Sequence, residues 1–207
     1  MGTGGELISL FDAVYSSIVD RLRQESDWLG FLVTDSSNDF KYERLNYKYD
    51  LRVRNEKVYK VGINLFLNNE VATEWHNHRF PFLIYPIALS GSLESPVYKM
   101  DWEDKASGEA GTTMVISGEC YSIQRCADVF HRVMSLCDHA SINIADITEP
   151  PVRPDRLTSQ KLSSPRTAEI LEILRTAIKT PHSCPPDPAV RIASAAALSG
   201  AICLKSR

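Results

Sequence analysis

The chain has 207 residues, a formal net charge of −3 and 24% charged side chains, the composition of an ordinary globular protein. The small acidic excess excludes a general polyanion binder, so no nucleic-acid partner is predicted. No apolar run is long enough to span a membrane, the first residues lack the features of a secretory signal, and five cysteines without a CxxC pair argue against a disulfide framework. We therefore predict a reduced, cytoplasmic protein with no membrane partner.

The N-terminal segment, residues 1–30, predicts one helix that packs on the rest of the chain. Apolar residues recur at three- and four-residue steps over residues 6–28, which is the period of an amphipathic helix. Gly30 follows this pattern, and glycine commonly ends a helix.

Residues 31–150 predict short strands, because the period changes to a two-residue alternation interrupted by turn-forming clusters. Residues 45–53 indicate a half-buried strand with a polar outer face, whereas the apolar run 82–89 is typical of a strand covered on both faces. Pro96 indicates an edge or a bulge in its strand. The charged residues 101–111 are predicted to form a surface loop. The other predicted strands cover residues 31–33, 59–67, 93–100, 112–116, 120–123 and 140–147, together with the stretches around His76 and His131.

The C-terminal part predicts a connector followed by helices. Residues 150–165 are rich in Pro, Arg and Ser, and residues 165–179 predict a helix with Ser164 as its N-cap and Pro165 in its first turn. The alanine-rich, apolar residues 189–204 predict a second helix that packs on the barrel or on a second subunit. The expected assembly is therefore a homodimer.

Together these patterns predict one structural domain of the mainly β class. It comprises an N-terminal helix (1–30), a β-barrel (31–150), and a connector with C-terminal helices (151–207). Many short strands with turns at close spacing indicate a sandwich or a closed barrel.

The stretch TEWHNHRFPF, residues 73–82, carries the strongest chemical signal. His76 and His78 are two residues apart, and in a strand such residues project from the same face. Their imidazoles can then reach one cation. In a helix they would lie about 200° apart, so the pattern favours a strand.

The third candidate ligand is His131, in the later run DVFHRVMSL. Alternation places it on one face with Val129 and Val133. A single inward histidine more often packs as a core residue, but transition-metal sites built on protein nitrogen usually have three protein ligands. We therefore predict one metal ion held by the three histidines, with Glu74 as a possible fourth ligand because it shares the parity of the pair.

Other side chains can form a substrate pocket beside the metal. Arg79 can bind a carboxylate with two hydrogen bonds, although its parity is opposite to that of His78, which leaves a solvated arginine as the alternative. The candidate lining residues, each of which can also pack in the core, are Tyr85, Tyr98, Trp102 and Tyr121. His139 and His182 are predicted to lie on the surface.

The histidine pattern resembles the cupin superfamily, whose first motif carries HxH, a Glu and a Gly and whose second carries one His. The matching residues, within residues 59–147, are His76, His78 and Gly91 in the first motif and His131 in the second. The usual Glu has no counterpart, since apolar residues stand in its place. The resemblance implies a cupin-type double-stranded β-helix, that is, a jelly-roll barrel, with flanking N- and C-terminal helices.

A three-histidine site without the Glu is similar to that of the thiol dioxygenases, whose type member is cysteine dioxygenase. Ser141 stands where that branch has the first residue of a Ser-His-Tyr set, whereas Asn143 and Ala145 stand where it has the His and the Tyr. The resemblance implies Fe(II) held by three neutral imidazoles, with Ser141 and Asn143 beside it.

The predicted function is that of a mononuclear non-haem iron oxygenase or dioxygenase that acts with O2 on a small polar, amino-acid-like or thiol substrate. Three neutral ligands leave the ion dicationic, which favours an anionic substrate. Ni, Zn, Mn or Cu can bind the same ligands. Two alternatives stay open: a metal-dependent cupin lyase or isomerase, and a ligand-binding cupin without turnover.

Overall fold

The structure is a computed structural model, and it describes residues 15, 17–35, 40–53, 57–67, 72–90, 95–123, 127–151, 157–178 and 202–205. Its strands are, in chain order, β1 (Trp28–Asp35), β2 (Phe40–Tyr47), β3 (Leu51–Val53), β4 (Lys57–Phe66), β5 (Phe82–Ala88), β6 (Pro96–Asp104), β7 (Glu109–Ile116), β8 (Cys120–Ile123), β9 (Val129–Ser135), β10 (His139–Asp146), β11 (Leu157–Lys161) and β12 (Ile202–Lys205). An α-helix, α1 (Ser164–Ala177), follows β11, and residues 17–21 are helical.

The strands form two antiparallel sheets whose order is that of a jelly roll. The larger sheet has the order β11-β1-β2-β4-β10-β5-β8-β12, with β3 also on β4, and the smaller has the order β7-β6-β9. Ala72 and His76 bridge to the other edge of β9. Residues of β5, β8 and β10 pack against residues of β6, β7 and β9 in one buried core. Each layer thus combines strands from earlier and later parts of the chain. This order confirms the predicted mainly β jelly-roll barrel.

One face of the larger sheet is apolar and packs on the helices. Ile63 of β4, Ile87 of β5 and Ile142 of β10 lie on this face. They share one buried core with Leu22, which follows the N-terminal helical residues, and with Leu174 of α1. The predicted flanking helices are thus present and cover the outside of the barrel.

The N-terminal helix ends earlier than the sequence predicts. Helical residues reach residue 21, and a 3-10 turn over Glu25–Asp27 leads directly into β1. Residues 6–14 of the predicted helix lie outside the described part. Gly30 does not end the helix but lies within β1, where a Cβ atom would come within 2.4 Å of Thr167 Oγ1. Glycine at this position therefore permits the close approach of α1.

Three strand predictions require correction. Residues 45–53 belong to two strands, β2 and β3, separated by a bend. Residues 101–111 are not a surface loop, because β6 and β7 pair through them and only residues 105–108 lie between the strands. The predicted connector contains β11, which pairs with β1. Pro96 predicted an edge strand or a bulge: β6 lies between β7 and β9, and the register shifts between Pro96 and Tyr98, which agrees with the bulge.

The first C-terminal helix is confirmed, with a shifted cap. Its N-cap is Ser163 rather than Ser164, and the Ser163 hydroxyl accepts a hydrogen bond of 3.4 Å from the Arg166 amide. The second helix, predicted over residues 189–204, is wrong at its C-terminal end, because residues 202–205 form β12, which pairs with β8. Residues 179–201 lie outside the described part. The homodimer, the division of the domain and the cytoplasmic location stay predictions.

Among the residues described, no helix combines the length and the apolar character that a membrane crossing requires.

Candidate metal centre

Backbone hydrogen bonds hold the stretch with His76 and His78 against β9. The His76 amide donates to the His131 carbonyl at 2.9 Å, and the His131 amide donates back at 2.8 Å. Nearer the start of the stretch, the Thr73 amide donates to the Val133 carbonyl, and Thr73 Oγ1 accepts from the Val133 amide, both at 2.8 Å. These bonds place the ligand-bearing stretch next to the strand that carries the third histidine.

The stretch is not the regular strand that the HxH pattern predicts. Its bridges join Ala72 to Met134 and His76 to His131. Between these bridges the stretch advances by four residues and β9 by three. One extra residue on one side of a ladder is the mark of a bulge, which bends a strand and redirects its side chains. Bulges are over-represented beside functional sites.

The structure brings the three predicted histidines together. One ligand nitrogen from each of His76, His78 and His131 lies within 4.8 Å of the others. Nε2 of His78 is 3.2 Å from Nε2 of His131. Two nitrogens that each bind one ion at about 2.0–2.1 Å are roughly 2.8–3.4 Å apart in octahedral or tetrahedral geometry. The spacing therefore fits a shared ion, although it also suits an N–H···N hydrogen bond in the metal-free protein.

Two of the imidazoles have contacts suited to metal binding. His76 Nδ1 lies 2.8 Å from the Glu74 carbonyl oxygen. Because a carbonyl only accepts, Nδ1 carries a proton, and in the neutral ring this arrangement leaves the Nε2 lone pair for a metal ion. Burial, and then the proximity of His76, hold the pKa of His131 well below its ordinary value, so this ring is neutral. His131 Nδ1 is buried without a hydrogen bond to any described residue.

A cavity of about 140 Å³ opens beside the histidine cluster. The hydroxyls of Tyr98 and Tyr121 are hydrogen-bonded to each other in its wall. Ser141 and Asn143 also line it, and Asn143 Nδ2 donates to the Ser141 carbonyl at 2.9 Å. Four of the predicted pocket residues thus reach the same cavity as the histidines.

The cavity adjoins a wider depression of about 700 Å³, called the outer groove below. Residues that line both are Tyr42, Asn64, His78, Asn143 and Leu157. Sequence reasoning missed Tyr42 and Asn64: Tyr42 precedes the predicted strand 45–53, and Asn64 lies on the polar face of the predicted strand 59–67.

Other predicted neighbours do not reach the cavity. The Glu74 side chain is exposed and does not join the histidine group. Arg79 is half-buried in the outer groove, with its guanidinium carbon 5.4 Å from the centre of the Phe80 ring. Tyr85 lies in the core against the helices, and Trp102 lies in the core between the sheets. Gly91 and His182 lie outside the described residues.

The prediction that His139 lies on the surface is wrong. His139 begins β10, is 1% exposed, lines the cavity and stacks on Phe66 with ring centroids 4.7 Å apart. Its Nδ1 donates to the Cys137 carbonyl at 3.0 Å, which leaves the lone pair on Nε2. Burial lowers the pKa of His139 to about 4. The signal that could have found it is its parity with Ser141, two residues further along the strand.

Comparisons with known proteins give only distant structural similarity. No protein-family model and no curated protein matches the chain. A tryptophan-to-phenylalanine variant of B. subtilis oxalate decarboxylase aligns with a TM-score of 0.39 and 11% identity, over 63% of this chain and 32% of that one. The formate complex of Lactobacillus farciminis oxalate decarboxylase aligns with a TM-score of 0.38 and 13% identity, over 63% of this chain and 36% of that one.

This chain therefore spans about a third of the length of those structures. Similarity at this level carries neither a fold nor a function to it, and we assign the jelly roll from the strand order alone.

Proposed function

We propose that the chain is a metal-dependent enzyme of cupin type, a mononuclear non-haem iron oxygenase that acts with O2 on a polar, anionic molecule such as an amino acid or a thiol. The observation that carries the proposal is the convergence of His76, His78 and His131 beside a cavity of about 140 Å³. Sites of this kind, with a few polar groups converging in one pocket, are the usual location of chemistry in a fold.

The ligand set favours an anionic substrate. Among the described residues, no Asp, Glu or Cys joins the three histidines, so a divalent ion would keep its full charge. Fe(II) held by His76, His78 and His131 would supply open positions for O2 and substrate and a redox-active centre through which electrons of the substrate reach O2. Ni, Zn, Mn and Cu are compatible with the same ligands.

The remaining cavity residues would orient the substrate. A thiol or an ammonium group must lose a proton before it becomes a good metal ligand. His139, whose pKa burial lowers to about 4, is a weak base for that proton, and its Nε2 lone pair can instead accept a hydrogen bond from the substrate while its Nδ1–H is bonded to the Cys137 carbonyl. The Tyr98–Tyr121 hydroxyl pair and the Asn143 amide provide further polar contacts for the same molecule.

Oxygen dependence tests the proposed reaction. Protein loaded with Fe(II) under anaerobic conditions is mixed with a panel of amino acids, thiols and carboxylic acids, and O2 uptake is recorded. We expect uptake that depends on one substrate class and is lost in His78→Ala. Equal consumption of that substrate without O2 would replace the oxygenase by a lyase or isomerase. Binding without turnover in either condition would leave a ligand-binding protein.

The homodimer is a separate proposal, which rests on the apolar residues 189–204. An alanine-rich apolar segment is expected to be covered by protein rather than by water. Sedimentation equilibrium of the full chain should give twice the monomer mass. A monomer at all concentrations would refute the dimer without affecting the metal site.

A further inference from the structure

The cavity and the outer groove differ in what they can hold. A cavity of about 140 Å³ is close to one that accommodates a single benzene-sized molecule. The outer groove, at about 700 Å³, lies in the range typical of sites for larger ligands. Since the two share His78 and Asn143 in their walls, one molecule can place its reacting end in the cavity and the rest in the groove.

Positive side chains outnumber negative ones in the groove. The charged residues that line it are the cations Arg44, Lys48, Lys60 and Arg79 and the carboxylates Asp50 and Glu149. Excess charge of one sign within a concave site attracts ligands of the other sign. The groove therefore favours an anion.

Arg44 is the cation best placed to bind that anion. Its Nε atom is buried and has no hydrogen bond to any residue that the structure describes. A buried donor without a partner is unfavourable, and a guanidinium matches carboxylate and phosphate groups through two parallel hydrogen bonds. Asn64, its cross-strand partner on β4, has a buried Oδ1 atom that likewise has no described partner.

Gly62 makes room for this guanidinium. A Cβ atom at Gly62 would lie 2.8 Å from Arg44 Nε and 2.9 Å from Arg44 Nη2. The guanidinium thus rests against the backbone of β4, at a position where any other residue would displace it. The arrangement keeps the charge close to the floor of the groove instead of in solvent.

The strand register places Arg44 beyond the cavity. Arg44 on β2 pairs with Asn64 on β4, which lines both the cavity and the groove and pairs with Ser141 on β10 in the cavity wall. Arg44 itself lines only the groove, and its backbone lies two strand spacings, about 10 Å, from that of Ser141. A ligand that contacts both Arg44 and the Ser141 side of the cavity therefore extends past Asn64.

We propose that Arg44 binds a carboxylate or phosphate group of the substrate in the outer groove, and that the histidine site therefore acts on an extended acid instead of a free amino acid. This inference rests on the proposed function for the identity of the reacting end. It assigns the groove a role in substrate selection, with the length of the ligand and its terminal charge as the selected properties.

Binding of a chain-length series tests the inference. Protein loaded with Zn(II), which is redox-inert, is titrated calorimetrically with linear dicarboxylates from succinate to suberate, and with monoalkyl phosphates that carry a carboxylate at the other end. Affinity should rise once the chain spans both sites. Arg44→Gln should weaken binding of the longer ligands by about tenfold or more and leave succinate binding and metal content unchanged. The tighter series identifies the anion.

Two further variants control for folding and for net charge. Gly62→Ala keeps the charge but should push the guanidinium aside, and so should weaken binding of the long ligands in the same direction as Arg44→Gln. Arg52→Gln removes an exposed arginine of β3 that does not line the groove, and should bind every ligand as the wild type does. Equal affinity of wild type and Arg44→Gln for all chain lengths would overturn the inference.

Failure of the inference and failure of the proposed function give different results. If metal binds but Arg44→Gln changes nothing, the groove assignment is wrong and the metal site stands. If no metal binds but inorganic phosphate still binds and is lost in Arg44→Gln, the groove stands and the metal enzyme is wrong.

Discussion

The two faces of β10 are both buried but have opposite chemistry. On the face toward the helices lie Ala140, Ile142 and Ile144, each at most 2% exposed. On the face toward the histidines lie His139, Ser141 and Asn143. The alternation along this strand thus separates the apolar core from the histidine cavity, and not a buried face from a solvent-exposed one. Burial of apolar side chains on one face stabilises the barrel, and the polar side chains on the other face line the cavity where a ligand can bind.

Strand β2, which β4 separates from β10 in the larger sheet, shows the same division. Leu45 lies in the core against the helices, whereas Arg44 lies in the outer groove. Asn46, Lys48 and Asp50, which the predicted strand 45–53 assigns to its polar outer face, also line the groove. The comparison indicates that stability and function can be changed separately by substituting alternate residues of one strand.

The largest expected effect is on stability. Ile142→Ala removes a fully buried side chain from the centre of the larger sheet and should lower the free energy of unfolding by about 2–5 kcal/mol. Asn143→Ala, its neighbour on the other face, loses a hydrogen bond to the Ser141 carbonyl and should lower it by about 1 kcal/mol. Urea unfolding of both variants measures the difference.

The same pair should behave oppositely in ligand binding. Asn143→Ala should weaken substrate binding, whereas Ile142→Ala should leave the metal content of the folded fraction intact. Similar losses of stability in the two variants would contradict the division between the faces.

The apolar face was the more predictable of the two. The alternation of β4 and β10 and the continuous apolar run of β5 are local properties of the sequence, so these strands and their buried residues could be inferred from it. The polar face depends on which strands become neighbours. Alternation alone could not show that Asn64 lies between Arg44 and Ser141, because that order arises from strand pairing distant in sequence.

The same reason explains the other misses. β11 has no apolar alternation, and its place is set by pairing with β1. His139 is not on the surface as predicted, because the pairing of β10 with β4 places it opposite Phe66. The three metal-ligand candidates could be predicted because an HxH pair and a strand-borne histidine are local features, although the bulge that aligns them was not foreseeable from the sequence.

Acid should destabilise the polar face selectively. Burial lowers the pKa of His139 from 6.5 to about 4, so the unfolded chain binds this proton at a higher pH than the folded one. The contribution of His139 is then fully present above pH 6.5 and is lost as the pH falls toward 4. By about 1.36 kcal/mol per pKa unit, the loss is roughly 3 kcal/mol.

Urea unfolding of the metal-free protein between pH 4 and pH 7.5 measures this dependence. In His139→Gln the free energy of unfolding should depend less steeply on pH, because this group no longer takes up a proton on unfolding. Some dependence should remain, because burial of His131 contributes in the same direction. An unchanged slope in the variant would show that His139 is not the neutral, buried group described above.

The smallest expected effect concerns the helix that covers the apolar face. Ser163→Ala removes the hydroxyl that accepts from the Arg166 amide at the start of α1, and should lower the free energy of unfolding by about 1 kcal/mol. Ser163→Asp should retain most of it, because an aspartate can cap the same amide. Metal content should be unaffected in both, and a loss of metal in either would mean that the two faces are coupled.

The most direct measurement is the metal content of four proteins after loading with Fe(II) and gel filtration without free metal. Wild type and Glu74→Ala should each retain one ion per chain, because the Glu74 side chain is exposed and outside the histidine group. His78→Ala and His131→Ala should retain almost none, with an affinity lower by about 100-fold or more and an unchanged circular dichroism spectrum. One ion per chain in folded His131→Ala would contradict the three-histidine site.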